Sequence, residues 1–200
     1  SLQQAVAESG YDNPTPIQAL TIPLALQGKD VIGCAQTGTG KTAAFALPIL
    51  HRFPETHSRP RALILAPTRE LACQIEASFE RYGKHVAARV CVLYGGVPLK
   101  GQMARLKKGV DIIVATPGRL TDHLERRTVD LTGIEVLVLD EADRMLDMGF
   151  EPQVRAIVRA LPRNRQTLLF SATVPPAILG LAHSYMRSPE HVEAERSGAT

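Results

Sequence analysis

Residues 34–42, CAQTGTGKT, hold the chain's clearest chemistry. In a phosphate-binding loop a glycine and four further residues precede Gly-Lys-Ser/Thr; here Gly40, Lys41 and Thr42 are present and Ala35 stands at the first glycine's place. Such a loop turns backbone N–H groups and a helix N-terminus toward phosphate, where the helix dipole favours negative charge. Lys41 would then reach the β- and γ-phosphates, and the Thr42 hydroxyl would bind Mg²⁺. Taken alone, the stretch also leaves open a glycine-rich turn before an ordinary amphipathic helix.

A second stretch changes that balance. Residues 136–143, VLVLDEAD, run from an apolar strand straight into three carboxylates. A buried strand ending in Asp140 is how a P-loop protein positions its second Mg²⁺ anchor. The adjacent Glu141 could orient and deprotonate an attacking water. By itself this is also a solvated acidic helix start, which the dipole favours; beside residues 34–42 it reads as the other half of a nucleotide site.

Both stretches need strands to hold them. Short apolar, β-branched runs occur at 30–35, 61–66, 89–94, 111–116, 135–140 and 166–172, and EHVEAE at 190–195 reads as a further edge strand. The runs are nearly continuous in hydrophobicity rather than alternating, as in parallel strands buried on both faces. Between them Leu71, Ile75 and Phe79, and Val154, Ile157, Val158 and Leu161, recur at helical spacing, which packs one helix face on a sheet. This order predicts a doubly wound α/β domain with ligands outside the carboxyl ends of the strands. Met145, Leu146 and Phe150 are expected in the core.

Composition narrows the class. The chain has 200 residues, 44% hydrophobic and 22% charged, enough for one sizeable core. Its longest uncharged stretches, such as residues 42–50, fall short of the ~20 apolar residues of a membrane span. The first ten residues lack a basic-then-apolar signal pattern and begin with Ser, which predicts an intracellular, cytoplasmic protein and an excised domain. Cys34, Cys73 and Cys91 are too far apart for a metal pair and odd in number, so free thiols are expected. A formal charge of +3 is compatible with a polyanionic partner.

With these residues in place the chain resembles the DEAD-box ATP-dependent RNA helicases, of bacterial type. Asp140-Glu141-Ala142-Asp143 spells that family's signature, and its loop pattern A-x-T-G-x-G-K-T matches Ala35-Gln36-Thr37-Gly38-Thr39-Gly40-Lys41-Thr42. The alanine is thus the family's own residue; physically, the turn at 35 should need no positive φ, leaving Gly38 and Gly40 to carry the close backbone approach. Residues 10–18, GYDNPTPIQ, match the family's Q motif. The resemblance implies nucleotide contacts from Tyr11, Thr15 and Gln18, with the Gln18 amide pairing an adenine edge as donor and acceptor.

Three more stretches match the family's RNA-contacting motifs: Pro67-Thr68-Arg69, Gly95-Gly96 and Thr116-Pro117-Gly118-Arg119. Hydroxyls, guanidinium groups and glycine-exposed amides suit phosphates and sugars rather than bases. In isolation each stretch also reads as a helix cap or a turn. Ser171-Ala172-Thr173 matches the motif that, with Asp143, couples nucleotide state to strand separation. The resemblance implies a RecA-like P-loop NTPase domain over 1–194, the first of two, with 195–200 opening an interdomain linker and the second RecA-like domain absent. It implies ATP and Mg²⁺ as cofactors, ADP as product, and single-stranded or duplex RNA plus that second domain as partners. Lys41, Asp140 and Glu141 would be catalytic, and Thr42 and Asp140 the metal ligands. Open alternatives are a nucleotide- and RNA-binding module without hydrolysis of its own, a DNA helicase, or an ATP-dependent clamp.

Overall fold

The structure, a computed structural model, describes residues 2–10 and 12–194. Within them one sheet is built from β1 (Val31–Cys34), β2 (Ala62–Leu65), β3 (Val90–Leu93), β4 (Ile112–Ala115), β5 (Val136–Leu139), β6 (Gln166–Ser171) and β7 (Glu190–Glu193). Its order is β3-β4-β2-β5-β6-β1-β7, and every pair is parallel. All six strands expected from the apolar runs are present, and the expected edge strand forms at Glu190–Glu193. Tyr11 and the expected linker, 195–200, lie outside the described residues.

The strands are continuous in hydrophobicity because both faces are covered. In β5, Val136 and Val138 enter one core while Leu137 and Leu139 enter the other. The first core packs under α2 (Pro16–Leu26), α3 (Lys41–Arg52) and α4 (Arg69–Tyr82), with Leu2 and Val6 of α1 (Leu2–Glu8) against it. The second lies under α5 (Leu99–Lys108), α6 (Pro117–Glu125), α7 (Ala142–Asp147), α8 (Glu151–Arg159) and α9 (Pro176–Tyr185). On α4 the buried face is Ala72, Ile75, Phe79 and Tyr82, with Leu71 only half-buried at its margin. Met145 is fully within the second core, and Leu146 and Phe150 pack against it from partly buried positions. Strand β7, exposed and bearing two glutamates, closes one edge with charge, which discourages pairing with another chain.

Because every strand is parallel, all carboxyl ends lie on one rim, where loops can bring distant residues together. Strand order sorts that rim into two halves. The turns after β3, β4 and β2 carry Gly95, Thr116 and Pro67; those after β5, β6 and β1 carry Asp140, Ala172 and Ala35. Among the described residues no helix is long and apolar enough to cross a membrane.

Candidate nucleotide and RNA site

The loop after β1 is shaped by two glycines. Gly38 and Gly40 have φ of +84° and +78°, whereas Ala35 is not among the residues with positive φ and is 5% exposed. The turn at 35 therefore tolerates a side chain, and the left-handed positions fall where glycine removes the Cβ clash. At Gly40 space is also short: a Cβ would lie 2.6 Å from Gln18 Nε2. Thr39 closes the loop, its hydroxyl donating to the Gln36 carbonyl at 2.7 Å, while Gln36, Thr37 and Gly38 are exposed.

Lys41 and Thr42 open α3. The Lys41 ammonium is buried and lies 3.0 Å from Asp140 Oδ1 and 3.8 Å from Glu141 Oε1. Asp140, at the end of β5, is fully buried; the Glu141 amide donates to its Oδ1 at 2.9 Å, and its Oδ2 has no hydrogen-bond partner. Burial pushes the Asp140 carboxyl above its ordinary range, with Lys41 pulling in the opposite direction. Glu141 has φ +51°, a conformation costing about 1–3 kcal/mol in a non-glycine residue. Its carboxylate accepts from the Thr37 hydroxyl at 3.3 Å and from Arg144 at 3.4 Å, joining acidic turn to phosphate loop.

The next carboxylate faces the neighbouring strand. Asp143 Oδ2 accepts from the Thr173 amide and hydroxyl at 3.2 and 3.0 Å, and the Asp143 amide donates to Ser171 Oγ at 3.2 Å. At the end of β1, burial foremost, then Glu193 and Asp143, raise the Cys34 thiol above its ordinary value, which makes it a poor nucleophile. All three cysteines are free, Cys91 buried and the others half-buried.

Gln18 sits on the first turn of α2, where Pro16 fits because its missing N–H would be unpaired anyway. Both ends of its amide are engaged: Oε1 accepts from the Thr15 amide and Nε2 donates to the Gly40 carbonyl, each at 3.0 Å. One lone pair of Oε1 and one N–H of Nε2 remain for a nucleotide base.

The three segments on the other half of the rim present different faces. Thr68 caps α4, its hydroxyl accepting from the Leu71 amide at 3.2 Å, and Pro67 is buried. Arg69 is exposed and lies 4.5 Å over the Tyr94 ring. Gly95 and Gly96 are exposed, Thr116 and Gly118 half-buried, and Pro117 buried. Thr116 makes no side-chain cap. Arg119 points inward: its side chain is 11% exposed, and Nη1 donates to the Val97 carbonyl at 2.9 Å and to Gln102 Oε1 at 3.2 Å. Sequence reading passed over Gln102 and Tyr94, since a lone glutamine on a helix ending Arg105-Leu106-Lys107-Lys108 carries no sign of burial.

Comparison with known proteins agrees with this geometry. Residues 15–179 match the family model described as DEAD/DEAH box helicase. The chain is 50% identical over 200 residues to the ATP-dependent RNA helicase CshA of Limosilactobacillus reuteri, covering all of this chain and 40% of that protein. It is 49% identical to the ATP-dependent RNA helicase DeaD of Mycobacterium tuberculosis, covering 98% of this chain and 35% of the relative. Among solved structures, a DEAD box protein from Methanococcus jannaschii superposes with a TM-score of 0.93 at 38% identity, covering 97% of this chain and 53% of that one. The chain thus spans about two-fifths of those curated relatives. Loop, acidic turn, sheet order and whole-chain similarity agree: this chain belongs to the DEAD/DEAH box helicase family.

Proposed function

We propose that this chain is the ATP-binding, first RecA-like domain of a cytoplasmic RNA helicase that couples ATP hydrolysis to local RNA unwinding or remodelling. The observation that carries the reading is the 3.0 Å pair between Lys41 and Asp140, two buried charges, one from the start of α3 and one from the end of β5. A buried ion pair is a weak source of stability, and its position at the phosphate loop suits a functional role. Lys41 would leave Asp140 for the β- and γ-phosphates; Gln36 to Gly40 would present their amides; Gln18, Thr15 and Tyr11 would serve the adenine. The unpartnered Asp140 Oδ2 and the Thr42 hydroxyl are hard oxygen donors that would suit Mg²⁺. Held there, Mg²⁺ would supply neutralisation of the phosphate charge. Glu141, held by Thr37 and Arg144, would orient the attacking water and take its proton.

RNA would lie along the other half of the rim, contacted through phosphate and sugar. Arg69, Gly95, Gly96, Thr116 and Gly118 offer the accessible groups there. A second RecA-like domain of the same protein, entered through 195–200, would face both halves and supply arginines worth ~10³- to 10⁵-fold in rate. The relatives' greater length supports this reading. The test is steady-state ATP hydrolysis by full-length protein with Mg²⁺, with and without single-stranded RNA. Lys41→Ala and Glu141→Gln should abolish RNA-stimulated turnover, and near-normal turnover in either would overturn the assignment. The 200-residue chain alone should stay at the level of the Lys41→Ala blank.

A further inference from the structure

Two of the segments proposed for RNA meet at one buried amide, and the third rests on the tyrosine ring beside it. Gln102, 8% exposed on α5, donates from Nε2 to the Tyr94 carbonyl at 2.9 Å. Its Oε1 takes Arg119 Nη1 at 3.2 Å and His123 Nε2 at 2.9 Å. Since that oxygen only accepts, His123 carries its proton on Nε2, and its Nδ1 lies 2.7 Å from Thr128 Oγ1. Arg119 Nη1 also donates to the Val97 carbonyl, and Arg69 covers the Tyr94 ring. Thus the backbone on both sides of Gly95-Gly96 is pinned, from Tyr94 by Gln102 and from Val97 by Arg119. The first turn of α6 is bound to the same amide, and Arg69 rests on the same tyrosine.

Arg119 is the group whose chemistry most suggests a phosphate contact, yet its guanidinium faces two neutral oxygens, with Asp122 3.5 Å from Nε. A phosphate would have to compete with a buried set of partners, and leaving them unpaired is costly.

We propose that Gln102 is a positioning residue that locks the Gly95-Gly96 turn to the start of α6 as one RNA platform, and that Arg119 works through this lock rather than as a phosphate ligand. The proposal rests on the RNA-binding reading above. Two isolated glycine turns would sample many backbone states before binding, and a preformed platform avoids that ordering cost.

The test is a double-mutant cycle in full-length protein, reading binding of a fluorescent single-stranded RNA by anisotropy. Q102A and R119A should each weaken binding by roughly tenfold. The double variant should be no weaker than the worse single, because both remove one lock. R119A should leave the slope of log K against log[salt] unchanged, while R69A should flatten it by about 0.7, the value of one phosphate contact on a single strand. Multiplicative losses in the cycle, or a flattened slope in R119A, would overturn the proposal. Q102M, nearly the same size, takes the place of Q102A should the latter fail to fold. Amide exchange without RNA reads the lock directly: Gly96, Val97 and Gly118 should exchange faster in R119A, and unchanged exchange would overturn the lock. Faster exchange in a protein that does not bind RNA would support the lock and refute the functional reading.

Discussion

Asp143 holds Thr173 by two hydrogen bonds, from amide and hydroxyl to one carboxylate oxygen, 30 residues apart in the chain. The bonds tie the acidic turn after β5 to the turn after β6. On the proposed function, a motion of Asp140 and Glu141 would reach the turn before α9 through this one carboxylate. Thr173→Val deletes the hydroxyl bond and keeps the amide bond. Strand separation should fall several-fold more than ATP turnover, since the pair lies beside the reacting groups and not among them. Equal losses of the two activities, measured on one RNA duplex, would refute a coupling role.

Gly38 and Gly40 share a left-handed backbone but not their surroundings. An added Cβ at Gly38 meets nothing within 4 Å, whereas at Gly40 it meets Gln18 at 2.6 Å and Thr15 at 3.1 Å. Gly38→Ala should cost about 1 kcal/mol, from strain alone. Gly40→Ala should cost about 2–3 kcal/mol, since strain and overpacking add. Urea unfolding of both variants checks the order, and equal midpoints would contradict it.

Removing Lys41 leaves a buried carboxylate uncompensated. Asp140 titrates above the ordinary 3.8, so the folded state holds this proton more tightly than the unfolded chain. Its contribution to stability is therefore greatest in acid and falls as pH rises from about 4 through the raised folded value. Without the ammonium that value rises further. Lys41→Ala should thus be close to wild type near pH 4 and less stable by about 3 kcal/mol at neutral pH. Denaturant midpoints across that range test the sign, and a pH-independent difference would exclude Asp140 as its source.

Asp111 behaves in the opposite way. Burial pushes its carboxyl up, but hydrogen bonds from the Arg89 side chain, Arg89 amide and His57 amide outweigh burial and hold it below 3.8. The amide bonds measure 2.7 and 2.6 Å, and the Arg89 Nε bond 3.0 Å. This stabilisation is complete above the ordinary carboxylate range and is lost as pH falls through the folded value. Asp111→Asn should cost about 2–3 kcal/mol at neutral pH and unfold with a shallower acid limb. An unchanged acid limb would show that another carboxylate governs acid unfolding.

The sequence by itself determined the six buried strands, the phosphate loop and the acidic turn, because each is local. A strand buried on both faces needs an unbroken apolar run, and a left-handed position needs glycine within its own turn. With the family's loop pattern beside it, Ala35 could hence be read as harmless, and Gly38 and Gly40 as carrying the close backbone approach, before any contact was known. What only the tertiary structure decided was who meets whom. Lys41 and Asp140 touch because β6 alone separates β1 from β5 in the sheet, an order no residue pattern spells out. Gln18 reaches Gly40 because α2 packs beside α3. Arg119, expected from the family resemblance to contact RNA, turns inward because Gln102 and Val97 offer oxygens beneath it. Side-chain direction depends on partners far along the chain, and helix packing brings those partners together.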